Sequence, residues 1–141
     1  RDCCVSMCEL ASAGGNTCAT GAALGIWHQG WITYTNAACS GTAATALTAD
    51  QVISVRQPGN QRYTLKDEGT SKADVLTFDA RGTLVAGEAK YEVRDANVDN
   101  SPYKRDITVS MQGRVFVKVP DAVKTTSSGS GNTPPVAANN P

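Results

Sequence analysis

Short runs of alternating apolar and polar residues dominate this chain, and no stretch has the spacing of a long amphipathic helix. Alternation places successive side chains on opposite faces of an extended strand, so the pattern predicts half-buried β-strands. These strands predict a mainly β protein whose antiparallel sheets form a β-sandwich. About nine are predicted, at Cys3–Cys8, Gly30–Thr35, Val52–Arg56, Arg62–Lys66, Val75–Asp79, Leu84–Gly87, Tyr91–Arg94, Asp106–Met111 and Val115–Val119.

The length of 141 residues corresponds to one domain with its own core. The composition changes near Lys124, which predicts a globular head over 1–123 and a flexible tail, rich in Ser, Gly, Pro and Asn, over 124–141. The tail is either native or a cloning remnant. The chain opens on Arg1 and shows no signal peptide or transmembrane run, and strand-like residues follow almost at once. We therefore expect that an exporting or anchoring part has been removed.

The formal net charge of +0 predicts no global attraction to polyanions. The charge is nevertheless unevenly distributed, because Arg1 is the only basic residue before Arg56. Five basic and two acidic residues lie between Lys104 and Lys124. The C-terminal end of the fold is therefore expected to be locally positive.

Five cysteines, all before Ser40, predict an oxidising compartment. A zinc site would need paired cysteine spacing and matching histidines, and the chain has one His. Cys8 and Cys18 flank a loop of small, turn-forming residues, so they are the preferred disulfide. Cys39 then pairs with either Cys3 or Cys4, and one thiol is left over.

The last two predicted strands form a hairpin whose register follows from their apolar faces. A two-residue turn would place the apolar side chains of the two strands on opposite faces. A three-residue loop, Met111–Gly113, instead pairs Val109 with Val115 and gives Gly113 the left-handed position that such loops need. The apolar row of the second strand, expected to be buried, consists of Val115, Val117 and Val119.

The other face of the second hairpin strand presents a basic–aromatic–basic row, Arg114, Phe116 and Lys118. Such a row is typical of nucleic-acid contact, and Lys104 and Arg105 add positive charge nearby. The alternative is an ordinary edge strand, with an ion pair to the facing strand and Phe116 covered by the tail or by a neighbouring subunit. Both alternatives stay open.

Other candidate sites favour structural roles. His28 has no recognisable Ser or Asp partner, so a packing role is expected rather than general-base catalysis. The adjacent Asp67 and Glu68 diverge on a strand and predict a solvated turn. The segment Asp95–Asp99 lacks the Gly and closing Glu of a calcium loop, which favours a polar loop. The sequence therefore predicts no catalytic residue, metal or cofactor.

Five segments, in their order along the chain, resemble the GspH/FimT family of minor pilins and pseudopilins. The stretch Gln-Gly-Trp-Ile-Thr-Tyr is similar to the family's Gln-Gly-Trp-Ile-Val-Phe strand, and the terminal hairpin is similar to the family's own. The resemblance extends from Arg1 to about Val119. The segments are Arg1–Cys8, the loop closed by Cys18, Gln29–Tyr34, Val75–Gly82 and Arg105–Val115.

The resemblance implies a FimT/FimU-type minor pilin head that lacks its N-terminal helix, with an α+β fold in full length. Such proteins are structural subunits, assemble with major and minor pilins, and touch the membrane only through that apolar helix. They occupy the bacterial inner membrane, the periplasm and the extracellular pilus. The alternative within the family is a type II secretion pseudopilin resembling GspH.

The resemblance also implies a DNA-binding role, because FimT-type members bind DNA in natural transformation through a Gly-Arg-x-Arg motif. This chain carries Gly113-Arg114-Val115-Phe116, so the second Arg is absent. Lys118 lies two residues further on the same face, but it lacks the bidentate fork of Arg. The segment Thr35–Cys39 also departs from the acidic, Asn-rich turn of the family.

Overall fold

The computed structural model describes residues 3–21, 25–59, 62–68, 75–98 and 103–120. Within these ranges the chain forms eight strands and a short 3-10 turn at Trp27–Gln29. Eight of the nine predicted strands are confirmed, with their ends displaced by one or two residues at most. The strands are β1 Cys4–Glu9, β2 Trp31–Asn36, β3 Val52–Arg56, β4 Tyr63–Asp67, β5 Val75–Phe78, β6 Ala89–Asp95, β7 Arg105–Val109 and β8 Val115–Lys118.

The strands form two four-stranded sheets, which confirms a mainly β architecture. The first sheet has the order β3-β2-β1-β5 and the second has the order β4-β6-β7-β8. Neighbouring strands pair antiparallel throughout. Strand β8 is consequently an edge of the second sheet.

Two apolar clusters hold the sheets in place. On one face of the first sheet, Ile32 and Tyr34 pack beneath loop residues that include Leu47. The second cluster joins the two sheets, since it contains Leu76 of β5 and Tyr91 of β6. Trp27 belongs to this second cluster and has 1% of its surface exposed. The ring of Trp27 packs edge-on against the ring of Tyr91, with 5.4 Å between the ring centroids.

Strand β1 lies inside the first sheet and carries one half of each disulfide. Cys8 is joined to Cys18, as the loop between them predicts. Cys4 is joined to Cys39, which leaves Cys3 as an exposed thiol. The disulfides therefore connect both ends of β1 to the loops on either side of β2.

The predicted strand Leu84–Gly87 is wrong. Leu84 makes a single bridge to Phe78, and its N–H donates to the carbonyl of Met111 at 2.7 Å. Gly87 has a φ of 94°, which turns the chain before β6 begins. The segment is therefore an irregular connection that reaches the hairpin loop.

The predicted tail, 124–141, lies outside the described residues. Asp99, at the end of the predicted polar loop Asp95–Asp99, also lies outside them. Asp95 itself accepts the N–H of Asn97 at 3.0 Å, which closes a turn after β6. Within the described ranges, no helix is long and apolar enough to cross a membrane.

Candidate functional site

The terminal hairpin has the predicted register. Val109 pairs with Val115, and the N–H of Ser110 donates to the carbonyl of Arg114 at 2.9 Å. Gly113 has a φ of 71° in the three-residue loop. The alternation of apolar residues together with one glycine was sufficient to predict this geometry.

The outward row of β8 is exposed, as its alternation predicts. Phe116 has 55% of its surface exposed and lies opposite Thr108 of β7. Lys118 lies directly opposite Asp106, and Arg114 precedes the strand in the exposed loop end. These side chains share one face of the second sheet.

The other two candidate DNA contacts do not extend this row. The ammonium group of Lys104 forms an ion pair with the carboxylate of Glu92. Arg105 alternates with Asp106 along β7, so its side chain belongs to the opposite face of the sheet. One of its guanidinium N–H groups donates to the carbonyl of Lys104 at 2.6 Å. The structure therefore brings together Arg114, Phe116 and Lys118.

A carboxylate cluster lies beside the outward row. Oxygen atoms of Glu68, Glu92 and Asp106 lie within 4.8 Å of one another. Two cations balance the negative charge of the buried Glu92 carboxylate. Lys104 contacts one carboxylate oxygen, and Arg94 Nε lies 3.5 Å from the other. The cluster is therefore an ion-pair network within the sheet face.

The pKa values in this network follow from its contacts. The hydrogen bond with Glu92 raises the pKa of Glu68, and burial acts in the same direction. Burial acts to raise the pKa of Glu92, but hydrogen bonds with Glu68 and Lys104 outweigh it, so this pKa lies below its usual value. Contact with Glu92 also raises the pKa of Lys104. The network thus holds Glu92 ionised.

The predicted burial of the valine row on β8 is wrong. Val115 and Val117 have 63% and 64% of their surfaces exposed, and Val119 is half-buried. Nothing in the described part of the chain covers this inner face of β8. The alternation correctly assigned the valines to one face, but it could not show whether another element packs on that face.

An open groove of about 200 Å³ continues from this face between the two sheets. Its lining is entirely apolar, with Val115 at one side and the rings of Trp27 and Trp31 at another. Trp27 Nε1 and the hydroxyl of Tyr91 are buried without hydrogen-bond partners among the described residues. Burial also raises the pKa of Tyr91. Large exposed apolar surfaces occur at interaction sites in proteins, so the groove together with the exposed valines of β8 is a candidate for one.

His28, in the 3-10 turn, lies next to this groove, because a cavity that it lines shares Trp31 and Leu65 with the groove. Its Nδ1 atom and the hydroxyl of Thr64 on β4 are both buried and lack partners in the described ranges. Both residues line two adjoining cavities of about 260 and 200 Å³. Sequence reasoning treated His28 alone and missed Thr64, because an isolated threonine in a strand carries no signal of its own.

The two antiparallel sheets, the disulfide-closed loop and the terminal hairpin together define a pilin-like head. The family model described as type II transport protein GspH matches residues 1–113. The chain therefore belongs to the GspH family, whose members are structural pilin subunits rather than enzymes.

Solved structures support the same fold. The type IV minor pilin FimU of Pseudomonas aeruginosa strain PAO1, crystallised in space group P65, is similar with a TM-score of 0.50 and 19% sequence identity. The match covers 84% of this chain and 78% of that one. A second FimU crystal form, in space group P21, matches equally well over 75% of its chain. No curated protein sequence matches this chain.

Proposed function

We propose that this chain is the head of a type IV pilus minor pilin of the FimT/FimU type. It acts as a structural subunit and assembles with major and minor pilins. Membership of the GspH family and the likeness to the FimU fold support this role. Its proposed locations are the bacterial inner membrane and periplasm before assembly and the extracellular pilus afterwards.

The observation that carries the proposal is an apolar surface on β8 and between the sheets that no described residue covers. Apolar surface is exposed at Val115 and Val117 and in the groove beside Trp31. A monomer in water would normally bury surface of this kind. In the proposed subunit, an apolar N-terminal helix covers this surface and attaches the head to the membrane and then to the pilus core. The head and the helix would then act as one unit in assembly.

The test is a substitution on this surface in the full-length protein. Val117→Asp places a charge on the apolar face without disturbing the interior of the head, because the side chain is exposed. We expect strongly reduced pilus formation when this variant complements a deletion strain, measured as pilin recovered in sheared pili. Val85→Asp is the matched control, since Val85 is 48% exposed in the connection before β6. Equal piliation by both variants would contradict the proposal.

A second role, DNA binding during natural transformation, is favoured by the outward row of β8. Arg114, Phe116 and Lys118 are exposed on one face. Two cations can contact successive phosphates while the ring stacks on a base or sugar. The proposed contact is with the phosphate backbone of double-stranded DNA, so it is independent of sequence.

Fluorescence anisotropy with a labelled duplex tests this second role. Binding should fall steeply between about 20 and 150 mM salt, because phosphate contacts release counterions. Arg114→Gln and Lys118→Gln should each weaken binding and flatten the salt dependence, whereas Lys66→Gln on β4 should change little. Undiminished binding in both hairpin variants would remove this site, and no binding by the parent would leave the assembly role alone.

The type II secretion pseudopilin is the alternative within the same family, and the description of the matching family model favours it. Both assemblies would use the same apolar surface, so the geometry of the head does not separate them. Cross-linking in cells does: capture of pilus minor pilins supports the pilus subunit, whereas capture of secretion components supports the pseudopilin. The genes beside the coding sequence give an independent criterion.

A further inference from the structure

A cleft between the turn Trp27–Gln29 and edge strand β4 has the properties of a ligand site. His28 projects from the turn and Thr64 from the strand, and both line each of the two adjoining cavities described above. Because the turn packs against β4, the two residues hold opposite sides of one cleft. A ligand could bind in this cleft whether or not the chain assembles as a pilin.

Two residues of the cleft each carry a polar atom that lacks a hydrogen-bond partner in the described part of the chain. His28 Nδ1 and Thr64 Oγ1 are shielded from solvent and have no partner among the described residues. The large majority of buried side-chain polar atoms in proteins are paired, so two unpaired atoms on residues that line the same cleft indicate a missing partner. That partner is either ordered water or a ligand.

The charge of the cleft selects the kind of ligand. Among the described residues that line the two cavities, Arg56 carries the one formal charge and none is acidic. Arg56 is exposed at the end of β3 and forms no ion pair within the described ranges. A cationic ligand would find no counter-charge here, whereas an anion would.

Three residues that carry hydrogen-bond donors line the smaller cavity. The guanidinium of Arg56 and the hydroxyl of Thr64 donate, and the imidazole of His28 donates from Nδ1 in the appropriate tautomer. A carboxylate has acceptors only and matches an Arg fork in bidentate geometry. The donor set therefore fits a carboxylate.

The remaining lining favours a carboxylate attached to an organic group. Trp31 and the half-exposed ring of Tyr63 line the smaller cavity beside Arg56. Aromatic rings of this kind cover the apolar part of a ligand while polar groups fix its orientation. We propose that the cleft between His28, Thr64 and Arg56 binds a carboxylate carried by a peptide, such as an acidic side chain of a neighbouring protein.

The binding test uses the whole 141-residue protein and the signals of its single histidine. Since His28 is unique, its imidazole resonances in a carbon–proton NMR spectrum need no further assignment. The probes are sodium acetate, a blocked Gly-Asp-Gly-Gly peptide, its Gly-Asn-Gly-Gly counterpart and sodium phosphate, each against sodium chloride of equal ionic strength. We expect a saturable shift of the His28 signals with acetate and with the Asp peptide, and none with the Asn peptide.

Variants locate the effect in the cleft. Arg56→Gln should weaken binding about tenfold through loss of a charge-assisted pair. Thr64→Val should also weaken it, while Thr64→Ser, which keeps the hydroxyl, should bind like the parent. Lys66→Gln removes the same charge from the same region on β4 and should leave the affinity within about twofold. Unchanged near-ultraviolet circular dichroism establishes that each variant is folded.

The outcomes separate the sources of the carboxylate. Tighter binding of the Asp peptide than of acetate supports a polypeptide partner, whereas equal binding supports the carboxylate chemistry with a free small acid as its source. Tighter binding of phosphate would overturn the carboxylate assignment. Absence of saturation, or equal weakening by Arg56→Gln and Lys66→Gln, would overturn the site and show that the cavities hold water only.

Discussion

Gly113 lies directly against the backbone carbonyl of Gly82, so closely that a Cβ at Gly113 would collide with that oxygen. The loop of the terminal hairpin is thereby docked on the turn that follows β5. The hydrogen bond from the Leu84 N–H to the Met111 carbonyl joins the same two segments. The hairpin that carries the exposed row is thus positioned by backbone contacts.

Substitution of the two glycines should separate conformational strain from steric collision. Gly82 has a φ of 80° and open space around its Cβ position, so Gly82→Ala should destabilise the fold by about 1–2 kcal/mol. Gly113→Ala adds the collision and should cost clearly more, about 3 kcal/mol. Urea unfolding followed by tryptophan fluorescence measures both. Equal effects of the two substitutions would mean that the hairpin loop is not held against the turn.

The buried carboxylate of Glu9 organises the segment before Trp27. Glu9 is 1% exposed, and its two oxygens accept the N–H groups of Gly25 and Ile26 at 2.6 and 3.0 Å. Glu9→Gln replaces one acceptor by a donor and should destabilise the protein by about 2 kcal/mol. Glu88→Gln, which removes an exposed partner of Lys90, should cost about 0.5 kcal/mol or less. Similar small effects in both variants would exclude the role assigned to Glu9.

The two disulfides should contribute unequally to stability. Cys4–Cys39 spans 35 residues in sequence and Cys8–Cys18 spans 10, so the first restricts the unfolded chain more. The loop-entropy relation predicts losses of about 4 and about 3 kcal/mol for the respective double Cys→Ser variants. Cys3→Ser should have no measurable effect, and the unreduced protein should show one titratable thiol. A reversed order of the two losses would indicate that strain or residual structure outweighs loop entropy.

Acid should weaken the fold through Glu92 and Asp95. The pKa of Glu92 lies below its usual 4.5, and the pKa of Asp95 is lowered by the N–H of Asn97 and by Arg62. Because both values are lower in the folded state, their stabilisation is present above the unfolded pKa and disappears as the pH falls through the folded one. Urea midpoints should therefore differ little between pH 7 and pH 5, and should decrease at pH 4 and again at pH 3.

Replacement of Lys104, the cation that contacts Glu92, tests how much of the loss of stability in acid is due to Glu92. Lys104→Met removes the ammonium that contacts Glu92 and should destabilise the protein more at pH 7 than at pH 3, where a larger fraction of the carboxylate is protonated. Lys90→Met, which interrupts the exposed pair with Glu88, should show little pH dependence. A constant loss for Lys104→Met from pH 7 to pH 3 would exclude an ionic role for this contact.

The parts of the fold that depend on local pattern could be predicted from the sequence. The alternation of residues in β7 and β8, together with Gly113, determines the register of the hairpin, because a shift of one residue would reverse every side chain. The disulfide Cys8–Cys18 follows similarly from the loop between them. The exception, Leu84–Gly87, alternates like a strand but is held by a contact with the distant Met111 loop.

The parts that depend on distant contacts could not be predicted. Val115 and Val117 alternate like buried residues, and the sequence does not say whether another element packs over them. Thr64 becomes part of a cleft only because the turn at His28, 36 positions earlier in the chain, packs on its strand. Single residues brought together by the packing of separate elements leave no periodic signal.

The position of β1 between two covalent links has a mechanical consequence. A pulling force applied across the chain would pass from Cys4 to Cys39 through the sulfur bridge, and the intervening backbone would carry no load. About 120 Å of contour, the extended length of those 35 residues, would remain hidden in a force–extension curve until the bridge was reduced. The Trp27–Tyr34 segment lies wholly within that shielded length, so tension along the chain would bypass it and act directly on the strands that follow Cys39, β3 to β8.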